Sequence, residues 1–468
     1  MSEQLYCGWS RADITPKVPV SLAGYFNVRI WDKVLDRLEV RAIVFKQNGK
    51  YAAIINMDLV SCCQLLVDRI FPKIADLDMF SKENILFCAT HTHTGPEIRF
   101  SHLPGSEECG EQIAEATSQA LRAALADLQV VDGMVQGETY DNRFIFNRRY
   151  WMKSGGVVTN PGKFNPDILR PEGTVDPEIP LIGVKRNGKL ALLIANIVNH
   201  SDTIGGNGVS ADWPGFARRT VESQLGEGAM FVPIIGTAGN INHFDVASDL
   251  NQTCYAEAER IGTGIGATIL NALDSLKPCC EMPLESRFTE VYVPGHEVSD
   301  EEYNEALATV EKYKDEPDVS ASDDLTSEDL ARKLPKVLKH FAKQVLILRD
   351  EPKTPPSRCR LSLSTAWRSW VCRANPLWKS VWNCAKIFSM ITAPWLPVTV
   401  PPAATSSAAA ICPTSGTTAA AVTKPPDAAI RSAIRHRCCC STAIARWQAA
   451  RSSNLCPNCP KLQLSAAR

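Results

Sequence analysis

Apolar and polar positions along the first 351 residues sort into strand-like and helix-like runs. The stretch "VRAIVFKQNGKYAAIINMDLV", starting at Val40, holds two β-rich runs around Asn48-Gly49, and that pair suits a primed two-residue turn, so the stretch predicts a hairpin. "ENILFCAT", ending at Thr90, is a continuous apolar run and predicts a buried strand. "GEQIAEATSQALRAALADL" repeats its apolar positions at helical spacing and predicts an amphipathic helix of good helix formers. "PLIGVKRNGKLALLIANIVNH" predicts a second hairpin, turned by Asn187-Gly188 and ending at His200. "ADWPGFARRTVESQL" predicts a helix with Asp212 as its N-cap and Pro214 in its first turn. "AMFVPIIGTAGNINHFD" reads as a strand running into a Gly/Asn loop, and "CYAEAERIGTGIGATILNALDSL" as a helix weakened by its glycines. The charged segment 298–345 predicts two helices, with His340 a solvated surface residue. The fold expected is α/β: mixed sheets with antiparallel hairpins and flanking helices, in a single large catalytic domain over 1–351.

Composition narrows the partners. The chain's 468 residues include 50 basic and 51 acidic side chains, so no polyanion is implied and nucleic acid is not an expected partner. The opening "MSEQLYCGWSRADITPK" lacks the apolar run of a signal peptide, and no stretch approaches the roughly 20 apolar residues of a membrane helix. A cytoplasmic location is the expectation. The 17 cysteines, with adjacent pairs at Cys62-Cys63 and Cys279-Cys280, form no regular framework and read as free thiols. The oligomeric state is not legible.

Chemistry collects at three strand ends: "THTHTGPE", "NIVNHSDTIGGNGVSADWPG" and "GTAGNINHFD". Loops after strands are where α/β folds carry their sites. A lone loop histidine is most often a hydrogen-bonded structural residue, but three such loops with His beside Gly or Asn point to zinc held by mixed His and oxygen ligands. In "CATHTHTGPE", His91 and His93 end a strand two residues apart, a spacing that sends both rings to one side. His102 and His296 have no such company and read as structural or exposed.

The segments "GWSRADITP", "DRLEVRAIVF", "ATHTHTGP", "NHSDTIGG" with "SADWPG", and "GTAGNIN" together resemble the neutral (non-lysosomal) ceramidase family, over about residues 5–350. The resemblance implies a zinc-dependent amidase acting on a small-molecule or lipid N-acyl amide such as ceramide. It implies His91 and His200 as two zinc ligands, with a Glu and a Tyr from the later part of the domain completing the set. It gives His93 a role in orienting the site or contacting substrate, and makes Arg148 of "FNRRYW" an oxyanion partner. Where ceramide-cleaving members carry a serine beside the zinc, this chain has Asn242, which can position a water or donate to an oxyanion but cannot act as a nucleophile. His243 is a possible substitute ligand. Two further readings stand beside this one: a hydrolase of the same fold for a smaller polar amide or ester, and a degenerate, non-enzymatic protein.

Residues 352–468 break the pattern. They hold no glutamate, no tyrosine, one aspartate (Asp427), one glycine (Gly416), fifteen Lys and Arg, and nine cysteines. Read in the frame that starts at each codon's third base, Trp378-Lys379 and Trp382-Asn383 must both give glutamate and Trp370-Val371 must give glycine. Trp367 to Phe388 then permit "AIVGLPGEPLVEIGLELREDF", with the strand, Gly turn and helical period that the printed residues lack. Ser415 to Pro426 permit a "GGYE" segment. The expectation is a frameshift near 352–360, a non-native tail separate from the domain, and a printed chain lacking the Glu and Tyr ligands and thereby inactive.

Overall fold

A computed structural model of the chain describes residues 4–25, 27–279, 284–293, 297–319, 329, 332–350 and 357–364. Two five-stranded sheets are built on one plan. The first unit runs β1 (Tyr6–Asp13), β2 (Glu39–Gln47), β3 (Lys50–Met57), α1 (Gln64–Lys73), β4 (Ile85–Ala89) and α2 (Ser106–Ala126). The second repeats it as β5 (Gly133–Tyr140), β6 (Glu178–Arg186), β7 (Lys189–Ile197), α3 (Asp212–Leu225), β8 (Met230–Ile235) and α4 (Tyr255–Asn271). The strand orders match: β4-β3-β2-β1 closed by Gln129–Val130, and β8-β7-β6-β5 closed by Lys277–Pro278. In each sheet the hairpin strands are antiparallel and the last long strand joins in parallel after a helical crossover, β4 on β3 and β8 on β7. Both hairpins turn on Asn-Gly, with φ of 52° and 72° at Asn48 and Gly49, and 52° and 73° at Asn187 and Gly188. Positive φ at both central residues is the geometry that matches strand twist, and Asn and Gly tolerate it.

Side-chain alternation assigns the strands' two faces to different cores. Val40, Ala42 and Val44 of β2 pack toward α1 and α2, while Ile43 and Phe45 face the other sheet. In β7, Leu193, Ala195 and Ile197 pack toward α3 and α4, while Leu192 and Ile194 meet the first sheet. The result is a four-layer α/β/β/α sandwich. Strands buried on both faces read as continuous apolar runs instead of a polar–apolar alternation, which explains "ENILFCAT".

Helix α3 packs on α4 through glycine. A Cβ on Gly262 would lie 2.3 Å from the Trp213 carbonyl oxygen, and one on Gly266 2.9 Å from Thr220 Cβ. The glycines that weaken this helix in isolation are what allow its close approach.

Two expectations change, and one element is added. Ala211, not Asp212, is the N-cap position of α3. Asp212 is its first residue at φ 56°, and its carboxylate accepts from the Thr203 and Ile204 amides at 2.8 and 3.1 Å, tying a loop to the helix start. His340 is 7 % exposed, on the inner face of α6 (Pro335–Asp350), which pairs with α5 (Asp300–Lys312); an amphipathic helix hairpin buries one stripe even in a charged segment. Helix α1 is not among the elements read from the sequence; it is amphipathic, burying Leu66, Val67 and Ile70, but it spans only ten residues and has Pro72 near its end.

Ser357–Ser364 pairs antiparallel with Ser286–Val293, so regular backbone extends a few residues into the composition-shifted tail. The rest of that tail, including Trp367, Trp370, Trp378 and Trp382, and also His296, lies outside the described residues. Among the described residues no helix is long and apolar enough to cross a membrane, and the described cysteines are free thiols.

Candidate metal centre

The carboxyl ends of the two parallel strand pairs, β3/β4 and β7/β8, meet. His91 and His93 follow β4, and His200 follows β7. Main-chain pairing joins the loops: Thr92 bridges Ser201, the His93 amide donates to the Ser201 carbonyl at 3.0 Å, and Ser201 Oγ donates to the Thr90 carbonyl at 2.7 Å. Beneath them Asp58, fully buried after β3, accepts both Arg218 Nη atoms at 2.6 Å and Thr90 Oγ1 at 3.1 Å. A buried, bidentate ion pair thus anchors the residue before His91.

The rings converge. His91 Nε2 lies 3.1 Å from His200 Nε2 and 3.4 Å from His93 Nε2. The Nδ1 atoms explain the arrangement. His91 Nδ1 is 2.7 Å from the Val60 carbonyl oxygen and His200 Nδ1 is 3.0 Å from that of Ala238. A carbonyl only accepts, so each Nδ1 carries the proton and each Nε2 presents a lone pair. Two lone pairs at 3.1 Å cannot hydrogen-bond to each other; they require an electrophile between them. Burial lowers the pKa of all three rings, and Arg148 lowers each further, so protonation is disfavoured as the remedy. The donor set fits a divalent cation: three imidazole nitrogens within 4.8 Å of one another, two of them oriented by carbonyls.

The convergence does not come from strand alternation. Strand β4 stops at Ala89, and His91 sits in left-handed backbone space at φ 62°. The main-chain groups of Thr92 and His93 are held by Ser201, so the His-x-His element is shaped by the opposite loop.

Of the other candidates, Arg148 lies near the rings; its Nε and Nη2 donate to the Gly239 carbonyl at 2.9 and 2.6 Å. Neighbouring Arg149 is turned away and pairs with Glu172. Asn242 is buried, with its amide nitrogen on Asn160 Oδ1 at 3.1 Å and its Oδ1 accepting from the Phe244 amide at 3.1 Å. His243 points Nε2 at the Gln252 carbonyl, 2.7 Å away, and stands outside the three-histidine group. His102 is exposed. Sequence reasoning passed over Asp58, Arg218, Tyr25, Arg29 and Asp202. Asp202 was in plain view two residues after His200, but nothing local marks its direction.

No protein-family model matches this chain. It is 24% identical over 320 residues to the neutral ceramidase of Pseudomonas aeruginosa, a match covering 60% of this chain and 46% of that protein. The chain therefore spans about half the length of the curated relative it matches. The crystal structure of neutral ceramidase from the same organism superposes with a TM-score of 0.51 at 22% identity, over 62% of this chain and 48% of that one. A ceramidase complexed with C2 gives a TM-score of 0.52 at 21% identity, over 64% of this chain and 51% of its own. The fold is neutral-ceramidase-like, of mixed α/β class, with a three-histidine cluster able to hold a metal at the meeting point of its two sheets.

Proposed function

We propose that this chain carries the metal centre of a ceramidase-like amide hydrolase, with zinc as the ion and an N-acyl amide, ceramide or a relative of it, as substrate. The observation that carries the reading is the pair of Nε2 lone pairs 3.1 Å apart, each fixed by a carbonyl behind it. Two imidazoles oriented by carbonyls are the part of a mixed His and oxygen zinc set that this chain holds. His93, whose Nε2 lies 3.4 Å from that of His91, orients the site or contacts substrate, the role the resemblance gives it. When bound, the ion supplies Lewis acidity toward a water and an amide carbonyl. The side chains do the rest: His91 and His200 hold the ion, His93 stands beside them, and Arg148 keeps positive charge beside the developing oxyanion. Asn242, its amide engaged by Asn160 and Phe244, supplies no hydroxyl, which favours a metal-activated water as attacker.

The same absence of a hydroxyl supports a second reading, a hydrolase of a smaller polar amide or ester. A panel of acyl amides and esters of graded chain length separates the two. The tail bears on both. We propose that the printed 352–468 segment derives from a shifted frame, and that a version carrying the alternative C-terminus adds a Glu and a Tyr to the ligand set. Expected results are about one zinc per chain by mass spectrometry of native protein, with tighter binding and amide turnover in the corrected version. Equal activity in the two versions would mean that the Glu and Tyr ligands are wrongly assigned. Zinc binding by neither would remove the metal reading itself.

A further inference from the structure

One carboxylate beside the centre keeps an oxygen unspent. Asp202 Oδ1 accepts the Tyr25 hydroxyl at 2.5 Å and lies 3.5 Å from His93 Nδ1. Its Oδ2 meets no donor among the described residues, and the side chain is 29% exposed, so that oxygen is open to solvent. The other carboxylates of these loops are committed: Asp58 to Arg218, Asp212 to the amides of Thr203, Ile204 and Trp213, and Glu97 to Arg99. The mount of Asp202 is rigid. The Tyr25 ring stands edge-on to His93, with centroids 5.8 Å apart, and lies under the Arg29 guanidinium at 4.0 Å. Arg29 donates to the carbonyls of Ala23, His93 and Gly206 at 2.5, 2.6 and 2.7 Å, which locks together the loops carrying Tyr25, His93 and Asp202. Gly24, at φ 95°, completes the cradle: a Cβ there would lie 2.4 Å from His93 Nδ1.

We propose that Asp202 is a specificity-determining residue: its free oxygen accepts a hydroxyl or ammonium proton from the amine half of the substrate and turns away amides whose amine half is anionic. The inference rests on the amide-hydrolase reading and deepens it. His93 Nε2 faces His91 Nε2 at 3.4 Å while His93 Nδ1 faces Asp202, so the carboxylate lies one imidazole width from the paired histidine nitrogens. An amide whose carbonyl lies at those nitrogens brings a donor carried a few bonds further along within reach of Oδ2. A half-buried carboxylate with one hydrogen bond has lost water that only another donor replaces. The nearby cations do not replace it, because Arg29 donates to three carbonyls and Arg148 to that of Gly239. A bond to a charged acceptor is also stronger than one between neutral groups. A substrate carboxylate in the same place meets like charge, which supplies the repulsive half of the selection.

The test measures binding of small amides to the full chain by ligand-observed NMR, with and without Zn²⁺. The probes are N-acetylethanolamine, N-acetylethylenediamine, N-propylacetamide and N-acetylglycine. The first two carry a donor and are expected to bind about 10-fold tighter than N-propylacetamide, which matches them in shape and lacks it. N-acetylglycine, an anion, should bind most weakly. Asp202→Ala should level the first three probes. Asp202→Asn keeps the shape and the Tyr25 bond but removes the charge, so it should weaken the ammonium probe about 10-fold and admit N-acetylglycine. Being isosteric, it decides the matter if Asp202→Ala does not fold. A parent chain that binds all the probes alike, or an unchanged ranking in the Asp202 variants, would overturn the assignment of Asp202 and leave the amide reading standing. Failure of the unmodified chain to bind any probe, with or without Zn²⁺, would overturn both.

Discussion

His91 holds a left-handed backbone conformation, φ 62°, that a β-region histidine would not choose. Such positions cost of order 1–3 kcal/mol and persist where the surroundings over-determine them. Here the Val60 carbonyl, the Ser201 pairing and the Thr90–Asp58 bond do so. Replacing either carbonyl-oriented ring should therefore remove binding and not merely tune it: His91→Ala or His200→Ala is expected to reduce bound zinc from about one per chain to near zero. Isothermal titration checks it, and retention of a full equivalent in either variant would contradict the site. Gly24→Ala tests the cradle from the other side. Its Cβ would collide with the His93 ring at 2.4 Å, from a backbone at φ 95° that alanine resists. The expected outcome is a stability loss of about 1–3 kcal/mol together with weaker metal binding, measured by denaturant unfolding and by titration.

At the scale of elements, the site depends on two contacts well below it. Helix α3 presents Trp213, whose Nε1 donates to the His200 carbonyl at 2.9 Å, and α4 presses against the Trp213 carbonyl through Gly262. Gly262→Ala would set a methyl 2.3 Å from that backbone oxygen, which cannot swing aside as a side chain could. Separation of the helices should cost about 1–3 kcal/mol, seen as a lower Tm, and should loosen His200. The second contact is the Asp58–Arg218 pair, 0% and 4% exposed, which ties the end of β3 to α3 and so joins the two repeats. A buried pair is expensive to half-remove: Arg218→Met leaves Asp58 charged and unpaired, and about 3–5 kcal/mol of stability should be lost by chemical denaturation. A loss under about 1 kcal/mol would show that water reaches the carboxylate.

For the whole molecule, the buried histidines set a response to acid. Burial lowers the pKa of His91, His93, His200 and His340 below the ordinary imidazole value. The folded chain then binds fewer protons than the unfolded chain once pH falls below about 6.5. Stability of the metal-free protein is therefore full above that value and declines as pH drops through it, by up to about 1.4 kcal/mol per pH unit for each such group. Denaturant midpoints from pH 7.5 to 5 check the sign; rising stability on acidification would contradict it. Metal binding weakens in the same direction, since protons compete for the same Nε2 atoms.

The sequence alone specified both Asn-Gly hairpins, the buried β4 run, α2, α3 and α4, because local propensity and period decide those elements. It also marked His91, His93 and His200 as residues worth attention, because His beside Gly at strand ends is a local signal. It did not reveal that residues 6–130 and 133–278 repeat one topology: the two hairpins share a Lys-x-Asn-Gly-Lys turn, but so short a match does not establish a common order of elements around it. Nor did it reveal the burial of His340, the inward face of a charged helix, or the start of α3, where the Asp212 carboxylate accepts from the Trp213, Thr203 and Ile204 amides from the first helical position instead of the cap. The site itself was decided only in three dimensions. His91 and His200 are 109 residues apart, and the tautomers that aim them come from the carbonyls of Val60 and Ala238, groups every residue carries and no sequence pattern can point out. Side-chain chemistry is written in the sequence, but the direction of a lone pair is set by whichever backbone the fold brings behind it.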